Sequence, residues 1–205
     1  ALCDWGGGAV LVPRPPEFFF RIPGAPIEAP PRKGPPPRPP DAPAEDARLA
    51  ATSVATVVRS TNGVPIVVER AMWWPEAPAS WYEAHASAAA SRTAARWAVA
   101  EGAIDAPAPG DTYVLVANTG TADAEVTFRI AFEDRPPVEH RARVAAASRF
   151  TLDVRQAVPA AIGRRFGVMV EAPPGTPLVV EAATYADSGG TRWAAGTSLL
   201  ATPLP

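Results

Sequence analysis

From about residue 46 the chain alternates apolar and polar residues in short runs, and almost no stretch carries the spacing of an amphipathic helix. Val54–Arg59 and Val64–Met72 are joined by "STNG", and Asn-Gly is a strong hairpin signal because both residues accept positive φ. Trp81–Ala90 reads as a third strand, and residues 91–96 as a connector. A fuller series follows. Trp97–Ala100 opens it, and Thr112–Asn118 is apolar on both faces, as in a central strand. In Glu125–Glu133, Val126, Phe128, Ile130 and Phe132 point one way and Glu125, Thr127, Arg129 and Glu133 the other. Val138–Val144 and Ser148–Val154 alternate likewise. Arg155–Gly163 predicts one or two helical turns in a crossover, and Phe166–Ala172, Leu178–Asp187 and Trp193–Leu200 complete the set.

Upstream the pattern differs. Residues 1–22 hold two short apolar runs, Ala9–Val12 and Phe18–Ile22, broken by Pro13, Pro15 and Pro16, and either predicts an edge strand. Residues 23–45 are proline-rich, which favours an extended arm at about 3.1 Å per residue and excludes sheet pairing.

The chain repeats itself. "STNGVPIVVERAMWW", Ser60–Trp74, returns as "APPGTPLVVEAATYA", Ala172–Ala186, with Gly175, Pro177 and Glu181 standing where Gly63, Pro65 and Glu69 stand in the first copy. Trp193 follows Trp81 at the same spacing. Many short strands with regular turn signals predict β-sandwiches, and the repeat places one closing hairpin in each of two consecutive modules. The expected organisation is an N-terminal segment with edge strands over 1–22, the arm over 23–45, an incomplete first module over 46–93, and a complete module over 94–205. The missing strands of the first module are expected from residues 1–22, from a partner chain, or from sequence outside this one.

Trp97–Gly102, Tyr113–Asn118, Ala124–Thr127, Ala146–Arg149 and Val64–Trp73 match, in order, an aromatic followed by F-A-E-G, then Y-I-x-x-x-N-P, A-x-V-T, P-A-N-S-R and a closing V-P-I-V-x-E-R-x-M-Y. In these motifs the chain resembles, over about residues 50–205, a repeated module of secreted and cell-surface proteins in Gram-positive and related bacteria. The resemblance implies immunoglobulin-like antiparallel sandwiches in tandem, an extracellular or surface location, and no catalytic residues. Two departures are visible. Ala182 stands where the first copy has Arg70, and the usual Gly-Gly-His appears only as Glu83–His85 and, in the second copy, as "AAGTS".

Composition narrows the function further. With 19 Lys and Arg against 21 Asp and Glu, the chain lacks the basic excess that nucleic acid or an anionic membrane demands. No stretch reaches the roughly 20 apolar residues of a membrane span. The start "ALCDWGGG" has no charged n-region leading an apolar h-region. One cysteine, Cys3, makes no internal disulfide, and with two distant histidines it predicts no metal site and no cofactor.

Candidate chemistry is sparse. His85 lies near Glu83 and Ser87, and His140 sits in a strand. Carboxylate pairs could be drawn from Glu69 and Glu83 or from Glu101 and Asp105, and Asp105–Asp111 offers two acids toward Ca²⁺, which asks for six to eight oxygens. Glu69 recurs as Glu181, which suits an ion pair or a hydrogen bond to a loop backbone better than an active site present twice; adjacent strand residues point to opposite faces, so the ion-pair partner is expected to be a cross-strand Arg and not Arg70. The aromatic residues are the main interaction candidates: Trp73, Trp74, Trp81 and Tyr82 around the first hairpin, Tyr185 and Trp193 around the second. Such rings either form a platform for a glycan or polyproline, or staple the hairpins and seal the junction between modules. The expected function is a non-enzymatic extracellular spacer or assembly subunit that contacts protein partners or its own copies through strand edges and the proline-rich arm. A carbohydrate- or cell-wall-binding module is the alternative.

Overall fold

The computed structural model describes residues 53–74, 83–105, 110–188 and 191–205. Trp81, Tyr82, the segment 1–22 and the proline-rich arm lie outside the described residues. The elements are β1 (Glu69–Trp74), β2 (Glu83–Ala88), β3 (Arg96–Ile104), β4 (Gly110–Asn118), β5 (Ala124–Ala131), β6 (Val138–Val144), β7 (Ser148–Asp153), the one-turn helix α1 (Val154–Ala157), β8 (Arg164–Glu171), β9 (Leu178–Ser188), β10 (Thr191–Leu200) and the short β11 (Thr202–Pro203). A 3-10 turn, Pro159–Ala161, follows α1.

The strands form three antiparallel sheets. A back sheet runs β10-β9-β4-β7 and a front sheet runs β11-β3-β8-β5-β6, while β1 and β2 stand as a two-stranded hairpin. Alternation decides which residues lie between the two larger sheets. Val114, Val116, Leu152, Leu178, Val180 and Ala182 from the back sheet meet Trp97, Val99, Val126, Phe128, Ile130, Phe166, Val168 and Val170 from the front sheet in one buried core. Each fully buried aliphatic or Phe side chain there contributes about 1.5–3 kcal/mol.

The motif residues organise the loops of this sandwich. The Trp97 indole donates to the carbonyls of Ala94 (2.9 Å) and Leu178 (3.2 Å), tying the start of β3 to the start of β9. Gly102 sits just past a register shift in β3, and a Cβ there would lie 2.5 Å from Cε2 of Phe166, so only glycine lets that ring pack. Asn118 is fully buried, with its Nδ2 donating to the carbonyls of Ala122 (2.8 Å), Val144 (3.2 Å) and Ala145 (3.2 Å) and its Oδ1 accepting from Gly120 N–H (2.9 Å). One side chain therefore joins the β4–β5 loop to the β6–β7 turn. Asp123 holds the same turn by accepting from Ala146 N–H and from Arg143. The Ala146 N–H and the Arg143 guanidinium, which donates through both Nε and Nη2, lower its carboxyl below the ordinary value. Asp153 caps α1 by accepting from Gln156 N–H.

The described structure corrects two expectations. Val54–Arg59 is no strand, and β1 takes only the last part of Val64–Met72 before running on to Trp74. The expected alternation is present in these residues, but no neighbouring strand flanks 53–68 among the described residues. Val57 (72% exposed), Val58, Val64, Ile66 and Val67 are left in water. The ends of the other strands move by only a few residues.

The repeat holds at the level of register. In the first hairpin Glu69 pairs with Ala88 and Trp74 with Glu83. Their counterparts in the second copy are Glu181 with Leu200 and Ala186 with Ala195, which are the pairs in β9–β10. The preceding turns match too, since Gly63 and Gly175 both hold positive φ, 74° and 83°.

Candidate functional site

The first hairpin has no sandwich of its own among the described residues. It lies against the outer side of the back sheet, close to β10. That outer side carries a second buried cluster of Tyr113, Leu115, Ala183, Tyr185 and Trp193, with Glu181 beside it. Strand alternation explains the placement: Val114, Ala182 and Val180 face the main core, so Tyr113, Leu115, Glu181, Ala183 and Tyr185 must face away from it.

Three side chains lock the hairpin in place. Arg70 Nη1 lies 3.0 Å from Glu181 Oε2, and both side chains are about nine-tenths buried, at 10% and 8% exposure. His85 bridges to the other repeat through both ring nitrogens, Nδ1 with Ser198 Oγ at 2.9 Å and Nε2 with the Tyr185 hydroxyl at 3.3 Å. Hydroxyls donate or accept, so either tautomer satisfies the bridge. The Tyr185 ring also packs on His85, Tyr113 and Trp193, with centroids 6.1, 6.1 and 5.4 Å apart.

Electrostatics at Glu181 follow from burial. Desolvation raises its carboxyl above the ordinary 4.5, while Arg70 and the charge of Arg149 pull it back. The arginine that meets Glu181 is Arg70 of the other copy, which lies on β1 in a different sheet and is not a ladder neighbour of β9, so it is not a cross-strand Arg. Glu69, the counterpart of Glu181, is exposed.

Trp193 is buried in a bulge of β10 with φ 52°, a conformation rare for a bulky side chain. Its N–H donates to Asp187 Oδ1 at 2.7 Å, which fixes the local turn. Tyr185 and Trp193 therefore face the hairpin junction. Trp73 and Trp74 hold the last ladder positions of β1, opposite Ala84 and Glu83.

The remaining candidates do not converge. His85 meets Ser198 through Nδ1 and the Tyr185 phenol through Nε2, whereas a nucleophilic triad sets its serine on Nε2 and a carboxylate on Nδ1. Glu69 and Glu83 stand at opposite ends of the hairpin ladder. Glu101 pairs with Arg165, and the Asp111 carboxylate takes the Arg155 guanidinium, which also donates to the carbonyls of Asp105 and Gly110. His140 packs its ring 6.2 Å from Phe128. Among the described residues no group of three or more His, Cys, Asp or Glu could hold a metal ion, and no helix is long and apolar enough to cross a membrane. Sequence reasoning missed the Arg70–Glu181–Arg149 grouping, although Arg70 and Arg149 both stand in the quoted motifs.

No family model matches the chain, and no curated protein matches it. Solved structures do show similarity. A crystal structure of Thermotoga maritima 1070 is 16% identical with a TM-score of 0.49, over 55% of this chain and 96% of that one. The Anabaena sensory rhodopsin transducer is 26% identical with a TM-score of 0.37, over 45% of this chain and 97% of that one.

Proposed function

We propose that this protein is a non-enzymatic extracellular spacer or assembly subunit of a bacterial surface structure, built from immunoglobulin-like modules in tandem. The observation that carries the reading is the junction: a repeated hairpin is laid on the next module by a buried ion pair, a two-sided histidine bridge and a cluster of rings. Such a joint suits the transmission of position and stiffness from one module to the next. Contacts with protein partners, or with further copies, run through strand edges and the proline-rich arm. On the front sheet, β6 is an outer strand bearing Glu139, Arg141 and Arg143, charges that discourage indiscriminate pairing.

Sedimentation velocity over a wide concentration range tests the assembly role, using the full chain and a version with the prolines of residues 30–40 replaced by Gly and Ser. Concentration-dependent assembly of the full chain, lost in the substituted one, is expected. Monomers of both at every concentration, together with retention on insoluble peptidoglycan, would replace this reading with glycan binding.

A further inference from the structure

The Asn-Gly pair of "STNG" sits in an exposed bend ahead of β1. Thr61, Asn62, Gly63 and Val64 are all exposed, and a Cβ built on Gly63 would stand in open space, with no described atom within 4 Å. Gly63 alone of the pair holds positive φ, at 74°. The Asn62 side chain folds back along its own backbone: Oδ1 accepts from Ser60 Oγ at 3.0 Å and from Val64 N–H at 3.2 Å. The Gly63 N–H makes no hydrogen bond among the described residues.

These are the conditions for a reaction within the chain. A five-membered ring closes when the backbone nitrogen of the next residue reaches the side-chain amide carbon, and groups tethered so closely meet at a high effective concentration. Glycine permits the approach because it has no Cβ and a freely turning backbone. The two donors on Asn62 Oδ1 draw density from the amide carbon and receive the charge that develops on the oxygen. The Gly63 nitrogen lies open to water, so its proton passes to hydroxide or a buffer base.

We infer that Asn62 is a site of self-modification, converting through a cyclic imide to aspartate and isoaspartate. Gly63 N attacks Asn62 Cγ, the N–Cγ bond forms, and the Cγ–Nδ2 bond breaks to release ammonia. Water then opens the ring. Cleavage of the new N–Cγ bond gives aspartate. Cleavage between Gly63 N and the Asn62 backbone carbonyl gives isoaspartate, whose main chain runs through Cβ and Cγ. One water is consumed, one ammonia leaves, and nothing is oxidised or reduced.

The rest of the sequence does not offer this chemistry. Its other side-chain amides are Asn118 and Gln156. Asn118 is 1% exposed, its amide is held by four hydrogen bonds, and Thr119 follows it in place of glycine. The repeat counterpart of Asn62 is Pro174, which has no amide to lose, although Gly175 shares the positive φ of Gly63. Either product adds a negative charge to residues 60–68, which carry no charged side chain. Aspartate keeps an acceptor oxygen for Ser60 and Val64. Isoaspartate lengthens the main chain by one methylene and so re-aims the exposed side chains of Val64, Ile66 and Val67. β1 begins beyond the bend, at Glu69, so the docked hairpin is kept. The inference is independent of the proposed assembly role.

The test ages the full chain in mildly alkaline buffer at body temperature, with samples denatured and digested by trypsin. Cleavage after Arg59 and Arg70 yields Ser60–Arg70, in which Asn62 is the sole side-chain amide. Two products of equal mass are expected, each carrying the gain of an NH2-to-OH exchange, with isoaspartate identified by its backbone fragments. Asn62 should convert at least about tenfold faster than Asn118, and Gly63→Val should slow it by about tenfold, because a branched Cβ crowds the attacking nitrogen. Ageing in concentrated urea separates exposure from sequence: the Asn62 rate should stay within about threefold of its native value, while Asn118 speeds up at least about tenfold once its shelter is lost. An Asn62 rate no higher than that of Asn118, aspartate without isoaspartate, or a native Asn62 rate about tenfold below the urea rate would each overturn the inference.

Discussion

Arg70 reaches across to Glu181, the repeat counterpart of its own neighbour Glu69, and the two form an ion pair 3.0 Å long that is almost wholly buried. Removing one partner of such a pair strands a charge, at a cost of about 3–5 kcal/mol where the site stays closed. Here the hairpin can lift away and rehydrate the survivor, so the loss stops at the docking free energy. Arg70→Ala is expected to release the hairpin while leaving the β3–β10 sandwich folded. Amide exchange checks this, with fast exchange in β1 and β2 and unchanged exchange in β5 and β8. The double change Arg70→Met with Glu181→Leu should keep the hairpin docked, because an apolar pair of similar volume is often neutral or stabilising.

The raised carboxyl of Glu181 gives a pH test. Its folded pKa lies above the unfolded value near 4.5, so its contribution is fully present below pH 4.5 and is lost as pH rises through the folded value. Glu181→Gln lacks that loss. The stability difference between the variant and the native chain should therefore move in the variant's favour as pH rises from acid to neutral, measured by urea unfolding at each pH. Asp123 behaves oppositely. Its pKa is lowered from 3.8 by the Ala146 N–H and by Arg143, so its contribution is present above 3.8 and disappears as pH falls through the folded value. Asp123→Asn should differ from the native chain at neutral pH and converge with it in acid.

Asn118 is the residue whose loss should be felt most in the loops. Asn118→Ala leaves three carbonyls and the Gly120 N–H without their side-chain partner. A cost of about 2–4 kcal/mol follows from unsatisfied buried polar groups. Asn118→Asp is isosteric but turns a donor into an acceptor facing three carbonyl oxygens. It should be worse at neutral pH and recover on acidification, as read from chemical denaturation at two pH values.

Ala147 holds φ 48° in the turn between β6 and β7, with its N–H donating to the Gly120 carbonyl at 2.9 Å. The left-handed region costs an L-residue with a Cβ roughly 1–2 kcal/mol, and Asn tolerates it better. Ala147→Asn is expected to stabilise by about 0.5–1 kcal/mol, a Tm rise of about 2–4 °C by calorimetry.

Much of the sandwich was legible because its strands are amphipathic and carry their own partners. The alternation in Glu125–Glu133 and Val138–Val144 identified β5 and β6 directly, and the two-sided apolar run Thr112–Asn118 identified a central strand. Val54–Arg59 shows the limit of that method. Alternation reports what a segment would bury if a sheet were there, and it is silent on whether neighbours arrive. The hairpin register was implicit in the repeat, since a constant offset on both strands preserves every pair. The ion pair at the junction was not legible, because Arg70 and Glu181 belong to different copies, far apart in sequence. Tyr185 and Trp193 stood out as rings for either a platform or a junction, and nothing local decides between the two.

Arg70 stands at the repeat position of Ala182, and Ala182 faces the main core between the two large sheets. The side of the first hairpin pressed on the back sheet is thus the side its twin turns inward. One side cannot line two interiors. Were the first repeat to close into a full copy of the second, its hairpin would have to leave the back sheet, bringing Glu181, Tyr185 and Trp193 into water. Interior closure of one repeat and shelter for the other are rival uses of a single strand pair, so a partner that completed the first repeat's interior would at the same time strip the cover from the second.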